Sequence, residues 1–228
     1  MFVGKVVVVT GAAGALGCAV FEHFAEGGAR VVALDYNDEL LDSAFPVKDP
    51  MHQYHKVDLT SRDSCQRVLS KLIDELGQID VLCNVAGGFL MGEAVHETSD
   101  EAWDFLFNLN TRSIVNTSSV VVPQMQKQGS GKIINVAAKA ATRGFANMGA
   151  YTASKAAVMR LTEAMAAELR DQQINVNCIM PGTIDTARNR EDMPDADHST
   201  WVPPSQLASV IGFLASDSAI AVHGAAIP

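Results

Sequence analysis

The chain carries no cluster of basic side chains. Its 17 lysines and arginines are outnumbered by 26 acidic residues, for a formal charge of −9. A surface of that sign repels phosphate backbones and acidic headgroups, which argues against DNA, RNA and membrane surfaces as partners. Nowhere does an apolar run approach the roughly 18 residues of a membrane-spanning helix. No signal-peptide pattern precedes the first strand, so the expectation is a soluble, cytoplasmic protein. Cysteine is sparse. Cys18, Cys65, Cys83 and Cys178 lie far apart and form no Cys-x-x-Cys, so reduced thiols packed against regular structure are expected. The six histidines are scattered. His52 and His55 flank Gln53-Tyr54, but no carboxylate or cysteine pattern completes a metal site. They read as surface or edge residues, with His96 and His198 nearer the mouth of a cleft, and no metal is expected. No repeat, low-complexity tract or linker divides the chain, so residues 1–228 read as one domain.

What is present is an alternation of two periods. Apolar residues make up 48% of the 228 positions, with a mean hydropathy of +0.11, enough for a substantial core. Buried-strand patterns fall near 5–9, 30–34, 54–57, 79–84, 131–136 and 174–179, with a short one near 223–228. Helical patterns fall near 15–27, 61–76, 99–126, 150–170 and 203–215. The stretch 36–53, with Pro46 and Pro50, has room for a turn or two of helix. Residues 182–202 read as an irregular, charge-rich lid. Strands joined by helical crossovers predict an α/β fold, a doubly wound parallel sheet of Rossmann type. Ligands of such sheets bind beyond the carboxyl ends of the strands. Gly11, Asp35, Asp58, Asn84, Ala138 and Pro181 all fall at those ends.

The first strand, Val6-Val7-Val8-Val9, runs into Thr10-Gly11-Ala12-Ala13-Gly14-Ala15-Leu16-Gly17 and then a helix. Small residues let the backbone approach a pyrophosphate, and the amides of the helix N-terminus face it. Asp35 ends the second strand, 18 residues past Gly17, at the spacing of a ribose-binding carboxylate. It would repel a 2′-phosphate, and Ala12, Ala13 and Tyr36 supply no cation to hold one. NAD is therefore favoured over NADP. Further along, Tyr151 and Lys155 stand one helical turn apart. An ammonium there is expected to lower the tyrosine pKa and make a proton donor or acceptor for alcohol–carbonyl interconversion.

These motifs, in this order, resemble the short-chain dehydrogenase/reductase family over nearly the whole chain. Thr10–Gly17 resembles its cofactor turn, which implies contacts from Gly11, Ala13, Gly14, Ala15 and Leu16, with Asp35 and Tyr36 at the adenosine ribose. Asp58-Leu59 resembles the adenine-contacting pair. Asn84-Val85-Ala86-Gly87 resembles Asn-Asn-Ala-Gly, implying contacts from Asn84, Ala86 and Gly87. Pro181-Gly182-Thr183-Ile184-Asp185-Thr186 resembles the segment meeting the nicotinamide, implying Pro181, Gly182, Ile184 and Thr186. Tyr151 and Lys155 match the catalytic pair, with Lys155 also on the nicotinamide ribose. Asn110 falls at the active-site asparagine, implied to keep a water between Lys155 and solvent. The resemblance implies an oxidoreductase acting on a small carbonyl or alcohol substrate. The alanine-rich helix 150–170, with the long helix before it, resembles the family's dimer-forming faces and implies a homodimer or homotetramer.

The chain departs from the family at three places. Ala15 stands for a glycine, and Val85 for a common asparagine. Asn135-Val136-Ala137-Ala138 lacks the catalytic serine, a hydroxyl expected at Ala138. Losing one such donor typically costs about 10²–10³ in rate. Lys139, Thr142, a water or a substrate hydroxyl could replace it. The segment around Ala137-Ala138-Lys139-Ala140-Ala141 also resembles dihydropteridine reductases, which lack the serine and reduce an activated quinonoid ring. A third alternative is an NAD-binding sensor or scaffold with little turnover.

Overall fold

The computed structural model describes residues 2–228. Seven strands, β1 (Val6–Thr10), β2 (Arg30–Asp35), β3 (Gln53–Lys56), β4 (Val81–Asn84), β5 (Gly131–Val136), β6 (Ile174–Ile179) and β7 (Ala226–Ile227), form one parallel sheet in the order β3-β2-β1-β4-β5-β6-β7. The helices are α1 (Ala15–Glu26), α2 (Asp38–Ala44), α3 (Arg62–Leu76), α4 (Asp100–Phe107), α5 (Ser113–Gln128), α6 (Gly149–Leu169), α7 (Ala187–Asp192) and α8 (Pro204–Ala215).

Side-chain alternation explains why β1 is all valine. Val7 and Val9 join the core that Phe24 of α1 and Ile211 of α8 complete, while Val6 and Val8 join Leu69 of α3 and Val121 of α5 on the other face. Both faces are covered, so no polar residue is tolerated until Thr10. Chain order reverses between β1 and β4. The register sets Thr10 beside Asn84, Asn84 beside Asn135, and Asn135 beside Cys178. That reversal opens a crevice beyond the strand tips, and the loops after β1, β4, β5 and β6 all empty into it.

Several sequence expectations are revised. The pattern over 99–126 is not one helix. A wide π-helical turn, Asn108–Arg112, separates α4 from α5. The strand expected at 79–84 starts at Val81; the Asp80 backbone just before it still bonds Val6 and Lys132, and its carboxylate takes Lys5 and the Val6 amide. The last strand has only two residues. The lid 182–202 is not wholly irregular: it contains α7, capped by Thr186. The stretch 36–53 holds α2, about two turns long. His52, expected at the surface, is buried; its Nδ1 accepts the Val31 amide at 3.1 Å and its ring packs edge-on to Phe21. Burial lowers its pKa. His96 is exposed, and His198 is half-buried with its ring tilted against Trp201 in the lid. All four thiols are free, with Cys18 half-buried and the other three buried. Among the described residues, no helix is long and apolar enough to cross a membrane, and no group of three or more His, Cys, Asp or Glu could hold a metal ion.

Candidate active site

The turn after β1 is shaped by two glycines. Gly11 has φ +63°, and a Cβ there would meet the Ala86 Cα at 2.7 Å. A Cβ on Gly17 would strike the Gly11 carbonyl. Both glycines therefore let the turn pack backbone to backbone, against the loop after β4 and the first turn of α1. Gly14 and Ala15 are exposed at the start of α1, which has no side-chain cap. Leu16, by contrast, turns into the core. Uncapped amides and backbone without Cβ atoms suit a pyrophosphate. Asp35 is buried at the tip of β2; one oxygen accepts the Ala13 amide at 3.0 Å, the other the Tyr36 amide at 2.8 Å. A carboxylate thus sits against the phosphate turn, beside an exposed Tyr36 ring. Asp58 is exposed at the tip of β3, where its carboxylate holds Thr60, and Leu59 beside it is buried.

The loop after β4 is held by Thr10, whose hydroxyl accepts the amides of Val85 and Ala86, both at 3.1 Å. Ala86 is half-buried and Gly87 exposed. Asn84 does not offer its side chain to the crevice. It is buried in a network with Asn135 and Thr117, each at 2.9 Å, and Asn135 continues to Thr162. Its polar groups are satisfied internally, which leaves only its backbone at the strand tip.

Asn110 and Lys155 converge on Gly87, and Tyr151 packs against Phe89 two residues on. A Cβ built on Gly87 would lie 3.0 Å from both Asn110 Oδ1 and Lys155 Nζ. The π-helical turn carries Asn110 inward, where Oδ1 accepts the Gly88 amide at 2.8 Å. Its Nδ2 donates to the Gly88 carbonyl at 3.1 Å and to Ser154 Oγ at 3.0 Å. The Asn110 amide thus forms a clamp between protein groups. Ser154 completes it by donating to the Tyr151 carbonyl at 2.8 Å.

The ionisation of the pair differs from the sequence expectation. Lys155 Nζ donates to the Val136 carbonyl at 2.8 Å, and burial lowers its pKa to about 8. Burial also raises the Tyr151 phenol. Desolvation outweighs the attraction inferred from spacing. Phe89, itself exposed, stands edge-on to the Tyr151 ring at 4.8 Å. Its loop clasps the segment before α6 twice more. The Gly92 amide reaches the Asn147 carbonyl at 2.9 Å, and Val95 packs where a Cβ on Gly149 would sit. Asn147 adopts φ +59°, a conformation asparagine tolerates better than most residues.

Ala138 is buried at the end of β5. Thr142 does not replace the hydroxyl there, because its Oγ1 donates to the Lys139 carbonyl at 2.9 Å. The Lys139 side chain is exposed, and its amide ties the segment to the buried Pro181. Gly182 is exposed. Ile184 bridges to Val202, closing the base of the lid, and Thr186 starts α7.

Phe89, Asn147 and Ser154 were not singled out in the sequence. Ser154 abuts Lys155 and was open to being read. An aromatic after two glycines carries no sign of which way it faces.

The comparisons agree with this geometry. The family model described as short chain dehydrogenase matches residues 5–197. A 3-oxoacyl-(acyl-carrier-protein) reductase of Thermotoga maritima is 37% identical over 238 residues, covering 98% of this chain and 95% of that protein. An NAD-dependent glycerol dehydrogenase of Listeria innocua is 32% identical, covering 96% and 90%. The crystal structure of an NAD+-bound xylitol dehydrogenase superposes with a TM-score of 0.90 at 26% identity, over 100% of this chain and 98% of that one. With the crevice, the uncapped turn and the Tyr151–Lys155 pair, these likenesses place the chain in the short-chain dehydrogenase/reductase family, nicotinamide-dependent oxidoreductases acting on alcohol and carbonyl groups.

Proposed function

We propose that this protein interconverts a small carbonyl compound and its alcohol, with NAD(H) preferred and Tyr151 as the general acid and base. The observation that carries this reading is the gathering of Lys155 and Asn110 at Gly87, with Tyr151 one helical turn from Lys155 and packed on Phe89 of the same loop. The nicotinamide, when bound, supplies or accepts the hydride. Gly11, Ala13, Gly14, Ala15 and Leu16 hold the pyrophosphate through backbone. Asp35 takes the adenosine ribose and repels a 2′-phosphate; Tyr36, Asp58 and Leu59 line the adenine end. Asn84, Ala86 and Gly87, then Pro181, Gly182, Ile184 and Thr186, flank the nicotinamide end. Tyr151 Oη gives its proton to the carbonyl oxygen in reduction and takes it back in oxidation. Lys155 Nζ holds the nicotinamide ribose and shares the phenol's charge once that group is ionised. Asn110 is a positioning residue, fixing Gly88 and Ser154 around the lysine. The preference for NAD is supported by the Asp35 carboxylate and by the likeness to an NAD-dependent glycerol dehydrogenase and an NAD+-bound xylitol dehydrogenase.

Replacing Tyr151 with phenylalanine is expected to lower kcat by about 10²–10⁴-fold. NADH affinity by calorimetry should stay within a few-fold. Undiminished turnover in that variant would show that another acid does the work.

The buried alanine at 138 favours a second reading. With Thr142 committed elsewhere, neither it nor residue 138 offers a second hydroxyl beside that of Tyr151, which suits an activated, quinonoid-type substrate. Ala138→Ser separates the two. A gain of about tenfold or more in ketone reduction supports the carbonyl reading, since one such donor is typically worth about 10²–10³. An unchanged ketone rate beside rapid quinonoid reduction supports the other.

A further inference from the structure

A cavity of about 130 Å³ opens beside Tyr151. Apolar side chains line most of it: Leu90 and Met91 from the loop after β4, Ala102 and Leu106 from α4, and Met148 from the segment before α6. Several polar groups in its wall are already engaged. Thr98 donates to the Ala94 carbonyl at 3.1 Å, Glu93 accepts the Ser99 amide at 3.3 Å, and the Asn147 carbonyl accepts the Gly92 amide. No lysine, arginine or histidine lines the cavity, and Glu93 adds a negative charge. Its dimensions are set by the clasp between the two segments, through Phe89 on Tyr151, Gly92 on Asn147 and Val95 on Gly149.

We propose that this cavity is a subsite for a short, uncharged aliphatic arm of the substrate. The substrate is then a compact ketone or secondary alcohol with one arm of up to about five carbons, because an apolar cavity of ~150 Å³ accommodates a benzene ring. A carboxylate on that arm would meet Glu93 and no cation, so anionic arms are rejected. This rests on Tyr151 being the proton-transferring group, since the cavity gains its meaning from lying against that side chain.

The test is a series of 2-alkanones from acetone to 2-nonanone, reduced with NADH by the wild type and two variants. In the wild type kcat/KM is expected to rise about fourfold per added methylene until the arm reaches four or five carbons, then fall. Met91→Ala, at an exposed position, should move the optimum two or three carbons longer. Ala102→Leu should move it shorter. Opposite displacements cannot arise from general damage to the fold. A flat series, or an optimum that neither variant moves, overturns the subsite while leaving the oxidoreductase reading intact. If no alkanone is reduced at all, the catalytic reading fails instead. The subsite is then judged by titrating 2-pentanone against the methyl resonances of Met91 and Met148: saturating shifts in both support it, unchanged resonances overturn it.

Discussion

Lys155 is a primary amine held almost entirely out of water, and its one hydrogen-bond partner on the protein is the neutral Val136 carbonyl. The charged form is disfavoured, so its pKa falls to about 8 from 10.5. The consequence for stability has a definite sign. Below pH 8 the native and unfolded chains both carry the proton, and the native state bears the full desolvation cost, on the order of 3 kcal/mol. Between about pH 8 and pH 10.4 the native lysine releases its proton while the unfolded one keeps it, so this group makes stability rise with pH. Lys155→Met should abolish that contribution. In urea titrations, the variant-minus-wild-type difference should be largest below pH 8 and should shrink above it. A difference constant across that window would mean the amine is solvated. Residue types and spacing at this pair were legible in the sequence. Ionisation was not, because it depends on Phe89 covering the phenol and on a strand-end carbonyl facing the amine, and neither is encoded in a four-residue interval.

At the scale of elements, the turn–helix unit after β1 sets Gly17 apart from Gly14. Gly17 faces the Gly11 carbonyl with no space for a methyl group, whereas a Cβ on Gly14 would sit 3.4 Å from the same oxygen, an ordinary contact. Gly17→Ala is expected to destabilise by about 1–3 kcal/mol through overpacking. It should also weaken NADH binding at least tenfold, as the turn shifts away from the phosphate. Gly14→Ala should keep its urea midpoint near wild type. Equal effects of the two substitutions would contradict the assignment. The strand–helix alternation was legible because buried valine runs and helical apolar spacing differ in period. The π-helical turn left only a five-residue step, from Leu109 to Ile114, which a period of 3.6 passes over. That turn nevertheless decides where Asn110 points. The same limit hid the use of Asn84: the motif shows an asparagine at a strand tip, and only the packing of Asn135 and Thr117 against it shows which way its amide faces.

The whole molecule leaves one broad surface whose composition suits a second copy of itself. On α5 an exposed Val115 leads a row with the half-buried Ser119 and Val122; on α6 Ala153, Ala157 and Ala164 form a parallel row. Trp103 and Phe105 of α4 are also exposed, and the Trp103 ring stacks on Phe107 at 4.5 Å. Helices of 16 and 21 residues extend about 24 and 32 Å at 1.5 Å per residue. Facing pairs of such helices, each about 10 Å wide, bury on the order of 1,100 Å² between two protomers. That lies near the lower end of stable interfaces, and the α4 aromatics would extend it. Small residues along both rows let helices approach closely, so one long cation at the centre should be enough to part them. The chain, 24.3 kDa as a monomer, is therefore expected to scatter light as a dimer or tetramer at micromolar concentration. Val115→Arg should return the monomer mass and leave the far-ultraviolet circular dichroism unchanged, since that side chain is exposed in the isolated protomer. A wild-type protein already monomeric at that concentration, or a Val115→Arg variant that keeps the wild-type mass, would place the interface elsewhere or remove it.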